Sequence, residues 1–119
     1  SHLRFSTTIE VSPATPPERL LEFRDRLQSW LAEQPLVVRD KADLHVHQIT
    51  SRGIELSLNL FLAARTGAEE VGFREAITCE ILRLGVALGV DVAPAYRRSL
   101  QEDAGERSGG AAERPAQAA

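Results

Sequence analysis

Two histidines are the side chains in this sequence best suited to bind a metal. His45 and His47 are separated by one residue, so on a strand both imidazoles lie on the same outward face. Zinc takes about four ligands, and no further cysteine or histidine of the folded region is available to complete such a site. We therefore predict two surface histidines on a solvated sheet face and no metal site.

The single cysteine is the next candidate for chemistry. Cys79 alone excludes an internal disulfide and a multi-cysteine metal cluster, and it is typical of a reducing compartment. It falls in a predicted helix beside an apolar stripe, with no histidine or basic residue predicted next to it to activate the thiol. We expect a half-buried, inert thiol, and we predict neither a catalytic group of residues nor a cofactor, so the chain is not expected to be an enzyme.

The sequence also lacks the motifs of three other functions. RNA-recognition modules place aromatic residues on central strands after a Lys/Arg-Gly pair, but after Arg52-Gly53 this chain has Ile54, and Glu55 would repel phosphate. A heavy-metal chaperone would need a Cys-x-x-Cys loop. An acylphosphatase would need a glycine-rich phosphate loop, whereas "VSPATPPER" has prolines in place of backbone N–H donors.

Length and composition favour one soluble domain. The chain has 119 residues, of which 43% are hydrophobic and 26% charged, and its net charge is −3. That charge creates no positive field to attract nucleic acid or anionic lipid. No apolar run approaches the roughly 20 residues that cross a bilayer, and no signal peptide is visible. Ser1-His2 resembles a cleaved tag and is left out of the fold prediction.

The elements that position these residues begin with a strand at about 3–11, where apolar and polar residues alternate. A helix is predicted at roughly 16–33, opened by a capping box of Thr15 and Glu18 with Pro16 at its first position. Its apolar stripe at helical spacing comprises Leu20, Phe23, Leu27, Trp30 and Leu31.

A β-hairpin and a second helix are predicted next. "DLHVHQITSRGIELSLNLFLA" contains two strands that fold back through Ser51-Arg52-Gly53, and the strict alternation of the second strand predicts one covered and one solvated sheet face. A capping box of Thr66 and Glu69 opens the helix, and Gly89 ends it. Its inward side chains are Phe73, Ile77, Ile81, Leu84 and Leu88.

A last strand is predicted to begin at Val90. The order β-α-β-β-α-β predicts a ferredoxin-like α+β sandwich over residues 3–100, with both helices on one face of an antiparallel sheet. Residues 101–119 have no apolar periodicity and are rich in glycine, alanine and charge, so we expect a disordered tail.

Three stretches, in this order, carry a resemblance to a known family. They are "TTIEVSPATPPERLLEFRDRLQSWLAEQP", "DLHVHQITSRGIELSLNLFLAA" and "FREAITCEILRLGVALGVDVAP". They resemble the C-terminal cytoplasmic domain of small-conductance mechanosensitive (MscS-type) channels, from about Arg4 to Leu100. The sequence departs from that family's pattern at its end, where Ala93 replaces the usual aromatic before Pro94.

The resemblance implies a role in a channel that responds to osmotic stress. In that family the domain forms the wall of a hollow, solute-filtering cage on the cytoplasmic side of the inner membrane, typically from seven copies. The membrane helices are absent from this chain, so it is expected to be a soluble piece of a longer channel, with copies of itself as partners. The candidate contact residues, in a C-terminal strand that meets its copies around the cage axis, are Pro94, Tyr96, Arg97, Arg98, Ser99 and Leu100.

A second interpretation stays open on the sequence. A ferredoxin-like domain can also stand alone as a regulatory module that binds a small ligand at a dimer interface. Apolar segments encoded upstream of Leu3 would favour the channel over this module.

Overall fold

The computed structural model describes residues 2–93, which form three strands and two helices. The elements are β1 (Leu3–Val11), α1 (Pro17–Ala32), β2 (Asp43–Thr50), β3 (Gly53–Leu62) and α2 (Gly67–Leu88). The strands form one antiparallel sheet in the order β1-β3-β2, so the predicted α+β class is confirmed. Within residues 2–93 the predicted last strand is present as one bridge, Val92 opposite Val11, and not as a full strand of the sheet.

The central strand β3 sets the register of the sheet. It pairs with β1 from Leu62 opposite Leu3 to Ile54 opposite Val11. On its other side it pairs with β2, where a bulge between Val46 and Gln48 shifts the register. Because a bulge adds one residue to a single strand, the simple alternation of β2 stops at this point.

One face of the sheet is buried beneath both helices. Every second side chain of β3 is buried on this face. The buried side chains of β1, α1 and α2 pack against them and complete a single core. The largest fully buried side chains of the described residues are Val11, Phe23, Leu27, Leu31, Leu56, Leu58, Leu60, Leu62 and Ile77. The predicted facing of β3 is therefore confirmed.

The N-terminus of α1 corrects the sequence prediction. Pro16 is the N-cap residue, and no side chain caps the helix, so the capping box of Thr15 and Glu18 does not form. The Thr15 hydroxyl, which is buried, donates instead to the carbonyl of Ser12 at 2.6 Å. A threonine next to a turn can satisfy its hydroxyl locally in this way, and that bond competes with helix capping.

The ends of α2 agree with the prediction. Thr66 Oγ1 accepts a hydrogen bond from the Glu69 N–H at 3.2 Å, while Glu69 Oε1 accepts one from the Arg65 N–H at 2.7 Å. Gly89 ends the helix in the left-handed conformation, with a φ of 68°. Its N–H donates to the carbonyls of Gly85 and Val86 in the last turn of the helix. Such a C-terminal glycine stops a helix without the penalty that a Cβ would add.

The close approach of the β1 backbone explains why position 53 is a glycine. Gly53 follows the hairpin turn at φ 152°, and a Cβ at this position would lie 2.3 Å from the Val11 carbonyl oxygen. The hairpin turn therefore packs directly against the end of β1, which only glycine permits.

Candidate functional site: the free edge of strand β1

The outer edge of β1 is paired only at its C-terminal end within residues 2–93. Ser12 donates its N–H to the Asp91 carbonyl at 2.9 Å, and Ala93 donates its N–H to the Glu10 carbonyl at 2.7 Å. These two bonds flank the bridge between Val11 and Val92. From Ile9 back to Leu3, no described strand lies on this side of β1.

The bond from Ala93 to Glu10 shows which backbone groups face that edge. The N–H and C=O of one residue in an antiparallel strand point to the same side, and successive residues alternate. Because Glu10 faces outward, Thr8, Ser6 and Arg4 also direct their N–H and C=O groups to the edge, while Ile9 directs its groups toward β3. The free edge thus offers three outward-facing residues to a further strand.

A groove runs between this edge and α2. It has a volume of about 420 Å³ and is open to solvent. Its apolar lining comes from the core-facing residues of β1 and from one side of α2, and it also reaches Val92 and Ala93. The side chains that line the groove walls are Phe5, Thr7, Ile9, Ile77, Ile81 and Leu82.

One end of the groove carries charge. The Arg74 guanidinium carbon lies 4.9 Å from the centre of the Phe5 ring, which is within cation–π distance. The same guanidinium donates to Glu70 Oε2 at 3.1 Å, as an i,i+4 pair of α2. The aromatic ring and the ion pair hold the arginine in place, and Glu10 is the other charged residue that lines the groove.

The outward face of α2 carries a second apolar stripe that the sequence analysis missed. Val71, Leu82 and Val86 lie on the side opposite the core and are 65%, 50% and 84% exposed. Their separations of 11 and 4 residues place them on one face of a 3.6-residue helix, and this spacing was the available signal. Leu82 belongs both to this stripe and to the groove, so the two apolar surfaces are continuous.

The cysteine lies on the same outward face and not at its predicted position. Cys79 is exposed, which contradicts the expected half-buried thiol. Its position is 200° around the helix from Ile77, whose side chain is buried. The predicted apolar stripe does face the core, and Cys79 lies on the opposite side of the helix.

The histidines lie on the open face of the sheet, as predicted. Both are exposed, and their ring centres are 5.8 Å apart. Asp43 Oδ2 lies 3.0 Å from Nδ1 of His45. Among residues 2–93 there is no group of three or more histidine, cysteine or acidic side chains that could hold a metal ion.

Apart from Phe61, the other β3 side chains on the open face are polar. Ser6 donates to Asn59 Oδ1 at 2.7 Å, and Asn59 donates through its Nδ2 to Ser57 Oγ at 3.2 Å. Gln48 donates to Glu55 Oε1 at 3.1 Å, across the neighbouring pair of strands. These side chains therefore form hydrogen bonds with one another along and across the strands.

The predicted subunit-contact residues lie outside the part of the chain that the structure describes. They are Pro94, Tyr96, Arg97, Arg98, Ser99 and Leu100. The last described residue is Ala93, which lines the groove. In residues 2–93, neither helix is both long enough and apolar enough to cross a membrane.

Comparison with solved structures relates this fold to a larger protein. The fold is similar to that of part of MSL1 from Arabidopsis thaliana, seen by cryo-EM both in MSL1 and in a point variant of it, with a TM-score of 0.67 and 12% sequence identity in each case. The match covers 77% of this chain but only 35% and 34% of the MSL1 chains, so this chain spans about a third of their length. No family model matches the sequence, and no curated protein matches it.

Proposed function

We propose that residues 3–100 form a cytoplasmic domain of a mechanosensitive channel, where they contribute to subunit assembly and to the wall of a solute-filtering vestibule. The observation that carries this proposal is the shared fold over 77% of the chain with MSL1, a channel of the MscS type. The three sequence stretches that resemble the same family support it independently of the fold.

The surfaces of the domain suit a protein that associates with its own copies. An unpaired strand edge favours association with another strand, and exposed apolar stripes mark protein contacts more often than lone apolar residues do. Within residues 2–93 both features occur, at the outer edge of β1 and on the outward face of α2. A homo-oligomer, heptameric if it follows the family resemblance, would cover them.

The ferredoxin-like topology belongs to the same proposal. Residues 90–93 lie beside β1 through the two hydrogen bonds at its C-terminal end, and they would form a short fourth strand. The sheet order would then be β4-β1-β3-β2, with both helices on one face. Val90 is held in place by its N–H, which donates to the Gly85 carbonyl at 2.8 Å.

The coding sequence upstream of Leu3 provides the most direct test. A channel subunit requires several apolar segments of about 20 residues each, because that length spans the hydrocarbon core. We expect such segments in the parent chain. An open reading frame that starts close to Leu3 would contradict the proposal and would favour a stand-alone regulatory module.

A functional test uses the parent chain in cells that lack their own mechanosensitive channels. The intact parent should protect these cells when the external osmotic strength drops suddenly, and removal of residues 3–93 should reduce both the protection and the amount of assembled oligomer. Equal protection by the two forms would contradict a role for this domain in the channel.

A further inference from the structure

We propose that the outward face of α2 binds the same face of a second copy, as an antiparallel helix pair related by a two-fold axis. The six exposed residues that form this face are Val71, Glu75, Thr78, Cys79, Leu82 and Val86. The pairing goes beyond the proposed function, because a two-fold axis joins two copies and cannot close a ring of seven. In a ring assembly it would join copies that belong to two different rings.

Exposed apolar side chains are concentrated on this face. Of the seven large apolar residues that are exposed in residues 2–93, three lie here, namely Val71, Leu82 and Val86. The other four are distributed singly over β1, α1, β2 and β3. Single exposed apolar residues are ordinary, whereas a cluster of them marks a contact surface.

The spacing of the face is the same from either end. Positions 71, 75 and 78 mirror positions 86, 82 and 79 about the midpoint between 78 and 79. At 100° per residue, the six positions cover an arc of about 100°. In an antiparallel pair centred on this midpoint, Val71 lies opposite Val86 of the second copy, and Glu75 lies opposite Leu82. The face is therefore self-complementary, as a two-fold contact requires.

The charges at the face are complementary in the same register. Glu75 forms no ion pair with any other described residue. Arg83 borders the face and pairs with Glu80 of its own helix. With the two helix axes about 9 Å apart, the Cβ atoms of Glu75 and of Arg83 in the second copy lie about 6–7 Å apart, which long side chains span. The two-fold axis generates this ion pair twice.

The single cysteine lies next to the two-fold axis of such a pair. Both copies of Cys79 fall on the same flank, one residue step apart along the axis direction. A helix radius of about 2.3 Å and an axis separation of about 9 Å place their Cα atoms about 6 Å apart. Disulfides usually join Cα atoms roughly 4.4–6.8 Å apart. The proposed register therefore brings the two thiols within disulfide range.

Composition favours a second copy over the chain's own residues 94–119. The large apolar residues in that stretch are Tyr96 and Leu100, and the others are small, proline, polar or charged. The face extends for about 22 Å along α2, from position 71 to position 86. Two large apolar residues within five positions do not match a face of that length, whereas a second copy supplies the same three side chains in register.

Cys79 also lies on the flank that faces away from the end of the described chain. Gly85 packs against Val90 and Val92, since a Cβ on it would lie 2.9 Å from the Val90 carbonyl oxygen and 3.4 Å from the Val92 side chain. Six residues separate Gly85 from Cys79, which places them about 120° apart around the helix.

The size of the face predicts weak association of the isolated chain. Six residues on each side are far fewer than the roughly 20–30 of a stable interface. Copies that are anchored in one membrane meet at a higher effective concentration, which strengthens a weak contact. The test on the isolated chain therefore needs about 0.5 mM protein and a reaction that traps the pair.

Oxidation of the natural thiol provides that trap. Diamide accepts the two hydrogen atoms that two thiols lose when they form a disulfide, and the covalent dimer is counted on a non-reducing gel. The matched control is Cys79→Ser with Ala76→Cys, which moves the thiol to another exposed position of α2 outside the face. We expect the natural chain to form dimer at least tenfold faster, after both rates are corrected for alkylation of each thiol by iodoacetamide.

A charge exchange tests the register itself. Glu75→Arg or Arg83→Glu alone places like charges opposite each other, and each should slow dimer formation at least fivefold. Both substitutions together restore opposite charges and should return the rate to within twofold of the natural chain. Both positions are exposed, so these variants should keep the circular dichroism of the folded chain.

Association without the disulfide is measured by sedimentation under reducing conditions. Val86→Gln, at the end of the face, should weaken association at least fivefold. Leu21→Gln replaces an exposed apolar residue of α1 and should leave association unchanged.

Three results would each overturn the proposal. The first is a Cys79 dimer that forms no faster than the dimer of the Ala76→Cys control. The second is a double charge exchange that fails to recover the rate. The third is a natural chain whose Cys79 resists alkylation, because its own residues would then cover the face.

Discussion

The N–H of Ala93 lies 2.7 Å from the carbonyl oxygen of Glu10, and this bond joins the last described residue to β1. Because Glu10 accepts this bond, the N–H and C=O groups of Glu10 and of every second residue before it point to the outer side of β1. It also brings the chain to the mouth of the apolar groove just before the left-handed turn at Ala93. Among the described strands, none lies on this side of β1 from Ile9 back to Leu3.

Two adjacent residues of β3 should differ strongly in their effect on stability. Leu58 is fully buried between β1 and β2, so Leu58→Ala removes core contacts and leaves a cavity. We expect a loss of about 2–5 kcal/mol in the free energy of unfolding. Asn59 on the open face makes one exposed and one partly buried hydrogen bond, and Asn59→Ala should cost about 1 kcal/mol or less.

Denaturant unfolding of both variants measures this difference. Equal losses at the two positions would show that the sheet does not bury one face only. The slope of the unfolding transition should stay unchanged in both variants, because neither alters the surface exposed on unfolding by a large amount.

Two glycines should respond to alanine in opposite directions. Gly53→Ala places a Cβ 2.3 Å from the Val11 carbonyl oxygen and should destabilise the chain by more than 1 kcal/mol, on the order of a strained turn residue. Gly72, within α2, has open space around its Cβ position, so Gly72→Ala should stabilise by about 0.5–1 kcal/mol. Thermal melting of both variants beside the natural chain would reveal the opposite signs, and a shared sign would contradict the hairpin contact.

Removal of residues 95–119 should leave the domain folded. The buried core of the described residues runs from Phe5 to Val92, and the deletion begins beyond it in sequence. We expect unchanged far-ultraviolet circular dichroism and a cooperative melt. The same deletion in the parent channel should weaken oligomer assembly, measured by light scattering. A truncated domain that unfolds would show that the segment completes its own sheet.

Zinc or nickel in modest excess should not raise the melting temperature appreciably. A ligand stabilises the folded state by mass action only if it binds that state, and His45 and His47 lack further ligands in residues 2–93. Melting curves with and without metal test this. A rise of several degrees that disappears in His47→Ala would demonstrate a metal site at the pair.

Periodic patterns made most of the fold predictable. The alternation of β3 and the helical spacing of Phe23, Leu27 and Leu31 specify which side chains are buried, because burial follows the geometry of the element. Gly89 and Thr66 mark the ends of α2 by local chemistry that needs no tertiary contact. These features are encoded within short segments.

Features that depend on competition between local and distant contacts were not predictable in the same way. The Thr15 hydroxyl could cap α1 or bond within the preceding turn. In the structure it donates to the Ser12 carbonyl and does not cap the helix. In β2 the bulge after Val46 interrupts the alternation, and Ile49 is exposed although it pairs with Ile54. The groove depends on how β1 and α2 pack against each other, which no spacing in the sequence reports.

The orientation of β1 has a mechanical consequence for any chain of which this domain is a part. The polypeptide enters β1 at Leu3 and leaves the described fold beside Glu10, at the opposite end of the same strand. Seven residue steps of a strand separate these points by roughly 24 Å. A hydrogen-bonded strand resists stretching, so the domain acts as a rigid spacer that keeps a fixed distance between whatever is attached at its two ends.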